Sequence, residues 1–85
     1  MKIVWDEPKR LANIEKHGLD FAALDDGFFL TSTIRTAKAG RFMAIGRLVG
    51  GVIAVIFAGL GSEGISIISM QPANQAERRL FDGKI

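Results

Sequence analysis

The chain reads as an α+β domain: an antiparallel β meander with two helices before it and one after it. Three observations carry that reading. Arg41–Val49 and Val52–Ala58 are apolar, β-branched runs on either side of Gly50-Gly51, a pair that can take positive φ at both positions of a two-residue hairpin. A looser turn, Gly59–Gly64, leads into a third run, Ile65–Met70. Helix-capping patterns flank this block on both sides.

The hairpin fixes which side chains share a face. With Val49 opposite Val52, Arg47 faces Ala54, Ile45 faces Ile56 and Met43 faces Ala58. Leu48 with Ile53, Gly46 with Val55 and Ala44 with Phe57 line the other side. Both faces are largely apolar, so the middle strand is expected to be covered on both. Arg47 is the exception. A guanidinium is not left unpaired in a core, so Arg47 belongs at the edge of the packed region, in an ion pair or in a site. Gly46, inside a strand, marks either a bulge or a close backbone approach.

Before the meander, Lys2–Trp5 reads as a short strand. Asp6 is a helix N-cap with Pro8 in the first turn, and the helix runs to about His17, stopping at Gly18. Leu11, Ile14 and Gly18 share its inner face, with Lys9, Arg10, Asn13 and Lys16 mostly elsewhere. Asp20 caps a second short helix that carries Phe21 and Leu24 and ends at Asp25-Asp26-Gly27. Phe28–Thr36 alternates as a strand would, with Ala37–Gly40 as its turn into the meander. After the meander Gln71-Pro72 breaks the strand. Asn74–Glu77 has the spacing of a capping box and starts a final helix through about Phe81.

Eighty-five residues form one domain, 1–85, and 48% apolar residues supply an adequate core. Leu48–Leu60 carries no charge but is well short of the roughly 20 residues a membrane helix needs. There is no cysteine, which excludes disulfides and thiolate metal sites and fits the cytosol. One histidine makes a zinc site improbable, and no cofactor is expected. No signal-peptide pattern is visible, in keeping with a cytoplasmic protein. The net charge of +2 conceals an uneven distribution. Residues 1–34 sum to −2, residues 48–85 to zero, and residues 35–47 hold Arg35, Lys38, Arg41 and Arg47 with no acid. Such a zone is either an anion or nucleic-acid footprint or a solvated basic loop.

Histidine is the one residue type with an ordinary pKa near neutrality, and the single one here, His17, has two readings: a proton-transfer group, or a cation favoured by the end of its helix. Arg41 and Arg47, six apart on one strand, project to one side roughly 20 Å apart. Arginine suits phosphate recognition; a surface ion pair or a protein contact is the alternative. Arg78 and Arg79 on the last helix either reach the sheet's rim or are solvated. Glu77 reads as a capping residue rather than a base.

Trp5-Asp6-x-x-Lys9, Asn13, Lys16-His17-Gly18 and Phe21 resemble the opening of the BrnT family of bacterial toxins. Arg41-Phe42-x-Ala44-Ile45-Gly46 and Ile65-x-Ile67-Ile68-Ser69 resemble its central strands. Ala73, Glu77-Arg78-Arg79 and Phe81 are similar to its closing helix. The resemblance covers nearly the whole chain. It implies a fold like that of RelE-type ribonucleases and a toxin of a type II toxin–antitoxin pair that cleaves RNA and halts translation. It also implies silencing by a ribbon-helix-helix antitoxin, with operator DNA contacted only through that antitoxin.

On that resemblance Arg41 and Arg47 take phosphate and transition-state roles, Arg79 supports them and His17 moves protons. Arg35, Lys38 and Arg78 bind RNA, without a metal. The chain departs from the family at Met70-Gln71-Pro72 and Gly50-Gly51-Val52, where basic residues are common. The alternative is therefore a catalytically inactive module that binds antitoxin or nucleic acid. A second copy of the chain is a candidate to cover an exposed sheet edge.

Overall fold

The structure of the chain, a computed structural model, describes residues 1–83, so Lys84 of the charge tally lies outside the described residues. In order along the chain, its elements are β1 (Lys2–Trp5), α1 (Glu7–His17), a 3-10 turn at Phe21–Ala23, α2 (Asp26–Thr31), β2 (Thr33–Thr36), a 3-10 turn at Lys38–Gly40, β3 (Phe42–Leu48), β4 (Gly51–Leu60), β5 (Gly64–Pro72) and α3 (Gln75–Asp82). The strands form one five-stranded sheet in the order β1-β5-β4-β3-β2. β2 to β5 are the antiparallel meander, and β1 adds a parallel edge beside β5.

This order dictates the layering. β1 and β2 sit at opposite edges, so the chain between them, α1 through α2, must cross the sheet. It does so over the face that carries Ala44, Ile53, Val55, Phe57, Ile65 and Ile67, where Phe21, Leu24 and Phe28 complete a buried core. Call this the helical face. The opposite, open face carries Ile45, Arg47, Val52 and Ala54, and α3 packs on it over β3. Ile45, Val52 and Ala54 are buried; Met43, Ile56, Ala58, Ser66 and Ser69 stay half-buried. Covering on both faces, expected from the pattern, is thus extensive on the helical face, apart from its β2 end, and partial on the other.

The β3–β4 hairpin turns at Val49-Gly50, with Leu48 opposite Gly51, rather than at Gly50-Gly51. Only Gly50 of the two turn residues has positive φ, 102°. The register therefore slides by two: Arg47 pairs with Val52, Ile45 with Ala54 and Phe42 with Phe57. A slide of two residues leaves every side chain on its expected face. The observed register sets Phe42 against Phe57 as a stacked pair.

Phe28–Thr31 is helix, not strand. Asp25 caps it, accepting from the Phe28 amide at 2.9 Å, and only Thr33–Thr36 pairs with β3. The preceding element, capped by Asp20 as expected, is a single 3-10 turn. Gly46 marks a close approach: a Cβ there would lie 2.7 Å from Cε1 of Phe28 and 3.1 Å from Cβ of Ser32. β5 carries the irregularity instead, at Ile56/Phe57, where Ile68 falls between the Ser69 and Ile67 pairings. That extra residue reverses the alternation and turns Met70, rather than Ser69, into the core. β5 also continues through Pro72, which pairs with Ile53 beyond the last residue of β1; on that open edge the missing amide costs no ladder bond.

The largest departure in the helices is Asn13. The helical pattern places it mostly away from the face of Leu11, Ile14 and Gly18, yet it is 7% exposed while Leu11 is 54% exposed. Asn13 Oδ1 accepts from the Met70 amide at 3.1 Å and Nδ2 donates to the Leu19 carbonyl at 3.0 Å. β1 ends opposite Ile67, so β5 has an unpaired edge beyond it, and the side chain of α1 takes the place of a strand there. An aliphatic residue at this position would leave a buried donor and acceptor unmatched.

Two stability measurements follow. Asn13→Ala should cost about 1–3 kcal/mol, read as a lower urea midpoint, because the Met70 amide loses its partner; an unchanged midpoint would show that water replaces the contact. Gly46→Ala should cost about 1–3 kcal/mol through overpacking against Phe28, and Gly46→Ala combined with Phe28→Leu should recover part of that loss.

Candidate functional site

The acid-free stretch of the sequence is displayed on the open face. Arg35 stands opposite Met43, Arg47 opposite Val52, and Arg41, just ahead of β3, falls on the same side by alternation. All three are exposed, as is Lys38. Among the described residues none of them makes an ion pair; the pairs present involve Arg10 and the N-terminal amine. Arg35 donates through Nη1 to the Ile34 carbonyl at 3.1 Å, and the Arg47 guanidinium lies 5.7 Å from the ring centre of Phe81 on α3.

The turn between β2 and β3 is unusually constrained. Ala39 (φ 61°) and Gly40 (φ 72°) are successive left-handed residues, and the Ala37 amide donates to the Arg41 carbonyl at 2.8 Å. A left-handed alanine costs roughly 1 kcal/mol. This tight tip presents Lys38 and Arg41 side by side.

The cations form two stations rather than one. Arg35, Lys38 and Arg41 gather at the β2–β3 tip. Arg47 lies at the other end of β3, roughly 20 Å from Arg41 along the strand. Helical spacing places Arg78 one turn before Phe81, on the flank that meets Arg47. The same spacing turns Arg79 to solvent, away from the half-buried Glu77, Leu80 and Phe81. His17 closes α1, which packs against β5 on the helical face, so it is two strand spacings, roughly 10 Å, from β3 and on the other side of the sheet from Arg41 and Arg47. No hydrogen bond or ion pair among the described residues joins His17 or Arg79 to Arg41 or Arg47.

A shallow hollow between the start of α2 and the end of β3 is lined by Asp25, Thr31, Arg47 and Val49. A larger one, by Met1, Lys2, Leu60 and Glu63, contains none of the arginines. Among the described residues no three His, Asp or Glu side chains group as metal ligands, and no helix is long and apolar enough to cross a membrane. The contact of Phe81 with Arg47 is not apparent from the order of residues alone. The available signal was its place one turn after Arg78 on an amphipathic helix.

Comparison with known proteins decides the family. The model described as "Ribonuclease toxin, BrnT, of type II toxin-antitoxin system" matches residues 5–77. The chain belongs to the BrnT family. The crystal structure of the Brucella abortus ribonuclease toxin BrnT, solved at 1.1 Å, is similar to it at 56% identity, covering 88% of this chain and 99% of that one, with a TM-score of 0.82. No curated protein matches. This BrnT-family chain is thus a ribonuclease toxin of a type II toxin–antitoxin system, a class that implies an antitoxin and an RNA substrate.

Most of the residues that carry the BrnT resemblance hold the scaffold. Asp6 and Gly18 cap α1, Asn13 ties it to β5, and Phe21 is fully buried. Trp5 packs edge-on to Phe21 at 6.3 Å, and Asn74 and Glu77 form the capping box of α3, with both bonds at 2.8 Å. The N-terminal acids are engaged too. Arg10 donates to Asp20 at 2.9 and 3.3 Å and to Glu7 at 2.7 Å. The Ala22 amide and then Arg10 hold the Asp20 carboxyl below its ordinary pKa, and Asp20 in turn raises that of Arg10.

A depressed carboxylate pKa stabilises the fold above the unfolded value, near 3.8, and that contribution is lost as pH falls through the lower folded value. Asp20→Asn keeps the cap on Ala22 but removes the charge. The variant should unfold at lower urea than wild type at neutral pH, and the gap should begin to close below about pH 4 and vanish once the pH is under the lowered folded value. A gap that persists into acid would assign the loss to packing instead.

Proposed function

We infer that the chain is a metal-independent endoribonuclease, with a fold like that of RelE-type ribonucleases, that cuts RNA and so stops translation in the cytoplasm. A cognate ribbon-helix-helix antitoxin silences it and alone contacts operator DNA. A second copy of the chain is the candidate to cover an exposed sheet edge. The observation that supports the reading is a set of exposed guanidiniums, Arg35, Arg41 and Arg47, on one sheet face, none of them in an ion pair among the described residues. Unpaired guanidiniums on a hydrophobic scaffold are available to phosphate oxygens.

The reaction is an internal displacement. The ribose O2′ forms a bond to the adjacent phosphorus while the P–O5′ bond breaks; one proton leaves O2′ and one arrives at O5′. The products are a cyclic phosphate and a free 5′-hydroxyl. The protein must align the attack and stabilise charge on the equatorial oxygens. Arg41 and Arg47 are too far apart for one phosphodiester, so they hold different phosphates of a strand lying along β3. Arg41, supported by Lys38 and Arg35, and Arg47, seated on Phe81 with Arg78 beside it, are the two anchoring points. Arg79 contributes charge from the solvent side of α3. His17 ends α1 on the helical side of the sheet, so the proton-transfer role assigned to it requires RNA that passes round the sheet edge from the open face.

A second reading has one observation in its favour. Gln71 faces Ala54 on the open face, exposed, with Met70 inside and Pro72 after it, so the end of β5 offers no cation. An inactive module that binds antitoxin or RNA fits that gap.

One set of assays separates the readings. Purified protein should cleave RNA in chelator, and Arg41→Ala and Arg47→Ala should each lose roughly 10²-fold in rate. His17→Ala should lose a comparable factor, within the roughly 10²- to 10⁴-fold range of proton-transfer groups; a loss of only a few-fold would leave it the role of a helix-terminal cation. Intact RNA, together with harmless expression in the absence of antitoxin, would establish the inactive module.

A further inference from the structure

Phe42 points to the core side of β3 by alternation, yet it lies at the end of the strand where solvent would favour a polar side chain. It is on the helical face, paired with Thr36 of the edge strand β2, beyond the cover of α2, and is 37% exposed. Its ring stacks on Phe57 at 5.7 Å with an interplanar angle of 28°; Phe57 meets Phe29 at 5.5 Å, and Phe29 meets Phe28 at 5.1 Å. The exposed ring is therefore the outer end of a row of four aromatic rings rooted in the core, and its orientation is fixed before any ligand arrives. It also adjoins the β2–β3 tip, where Lys38 and Arg41 stand unpaired and no acidic residue occurs from Gly27 to Ser62.

We propose that Phe42 is a base-stacking residue: a strand turning round the β2–β3 tip lays one unpaired base on its outer face, on the helical side, while Lys38 at the tip and Arg41 from the opposite face hold the flanking phosphates. Resting on the ribonuclease reading above, this goes further by naming single-stranded RNA at the β2–β3 tip and the side chain that grips a base. Single-stranded RNA is held by this combination, a cationic track with aromatic platforms, because every base offers a π-face and every linkage a charge. The excess of positive charge around the ring favours a polyanion over an apolar protein segment. A ring already braced by Phe57 loses little freedom on binding.

The test uses the full chain and a short single strand of 2′-O-methyl RNA, which lacks the attacking hydroxyl, carrying 2-aminopurine as a stacking reporter. Wild type should bind it and quench the reporter. Phe42→Leu should weaken binding roughly tenfold, with the slope of log affinity against log salt unchanged, since no phosphate contact is lost. Arg41→Ala should instead flatten that slope by about 0.7. Phe42→Trp should restore affinity, and its added indole emission, above that of Trp5, should fall on RNA addition; this variant keeps the ring and tests the proposal even where the leucine variant is unstable. Unchanged affinity and quenching in folded Phe42→Leu, or an indole indifferent to RNA, would overturn the proposal. So would a variant that loses antitoxin and keeps RNA, which would make the patch a protein contact. Failure of wild type to bind the strand would instead remove the ribonuclease reading itself.

Discussion

Everything in this fold follows from β1 and β2 lying at opposite edges of one sheet. The polypeptide that joins them has to cross a face, and it covers that face with Phe21, Leu24, Phe28 and Phe29. A single eight-residue helix, α3, is left for the other face, too short to cover five strands. The open face is therefore half-finished as a core, and its arginines can remain exposed without an acid partner. A scaffold that needed both faces sealed would have had to neutralise or exclude them.

The crossing itself depends on close contacts at two points. Gly46 lets Phe28 reach the β3 backbone, so α2 can sit low on the sheet. Asn13 supplies the hydrogen bonds that a longer β1 would have made to β5, and through Leu19 it also fixes the chain's entry into the core. A short edge strand completed by an amide side chain leaves little backbone for another chain to pair with. At the far edge β2 is equally short and carries Arg35, so both edges limit unregulated pairing.

Local signals were legible where one residue determines one backbone state. Asp6 with Gly18 and Asn74 with Glu77 delimit α1 and α3 as read, and the two faces of β3 and β4 survive the slide in register. What depends on tertiary partners was not. Phe28–Thr31 alternates as well as it winds, and the capping bond from Asp25 and the depth available above Gly46 decide for helix. Ile67-Ile68 interrupts an alternating strand without saying that the extra residue will send Met70 inward. Asn13 looked like a polar outer position because its partner, an unpaired β5 amide, exists only once β1 is seen to stop at Trp5.

The same distinction applies to the candidate site. The cationic zone is visible in the order of residues, but its division is not: Arg41 and Arg47 share a face and still stand a strand's length apart. Arg47 is held by Phe81, on an element that follows it only after β4, β5 and their turns. Arg41 is held by a turn that accepts a left-handed alanine. One station is thus positioned by packing and the other by backbone strain. Mobility at the hairpin tip would move Arg41 and leave Arg47 in place, so a substrate spanning both stations reads the geometry of the whole β3 strand rather than the reach of any one side chain.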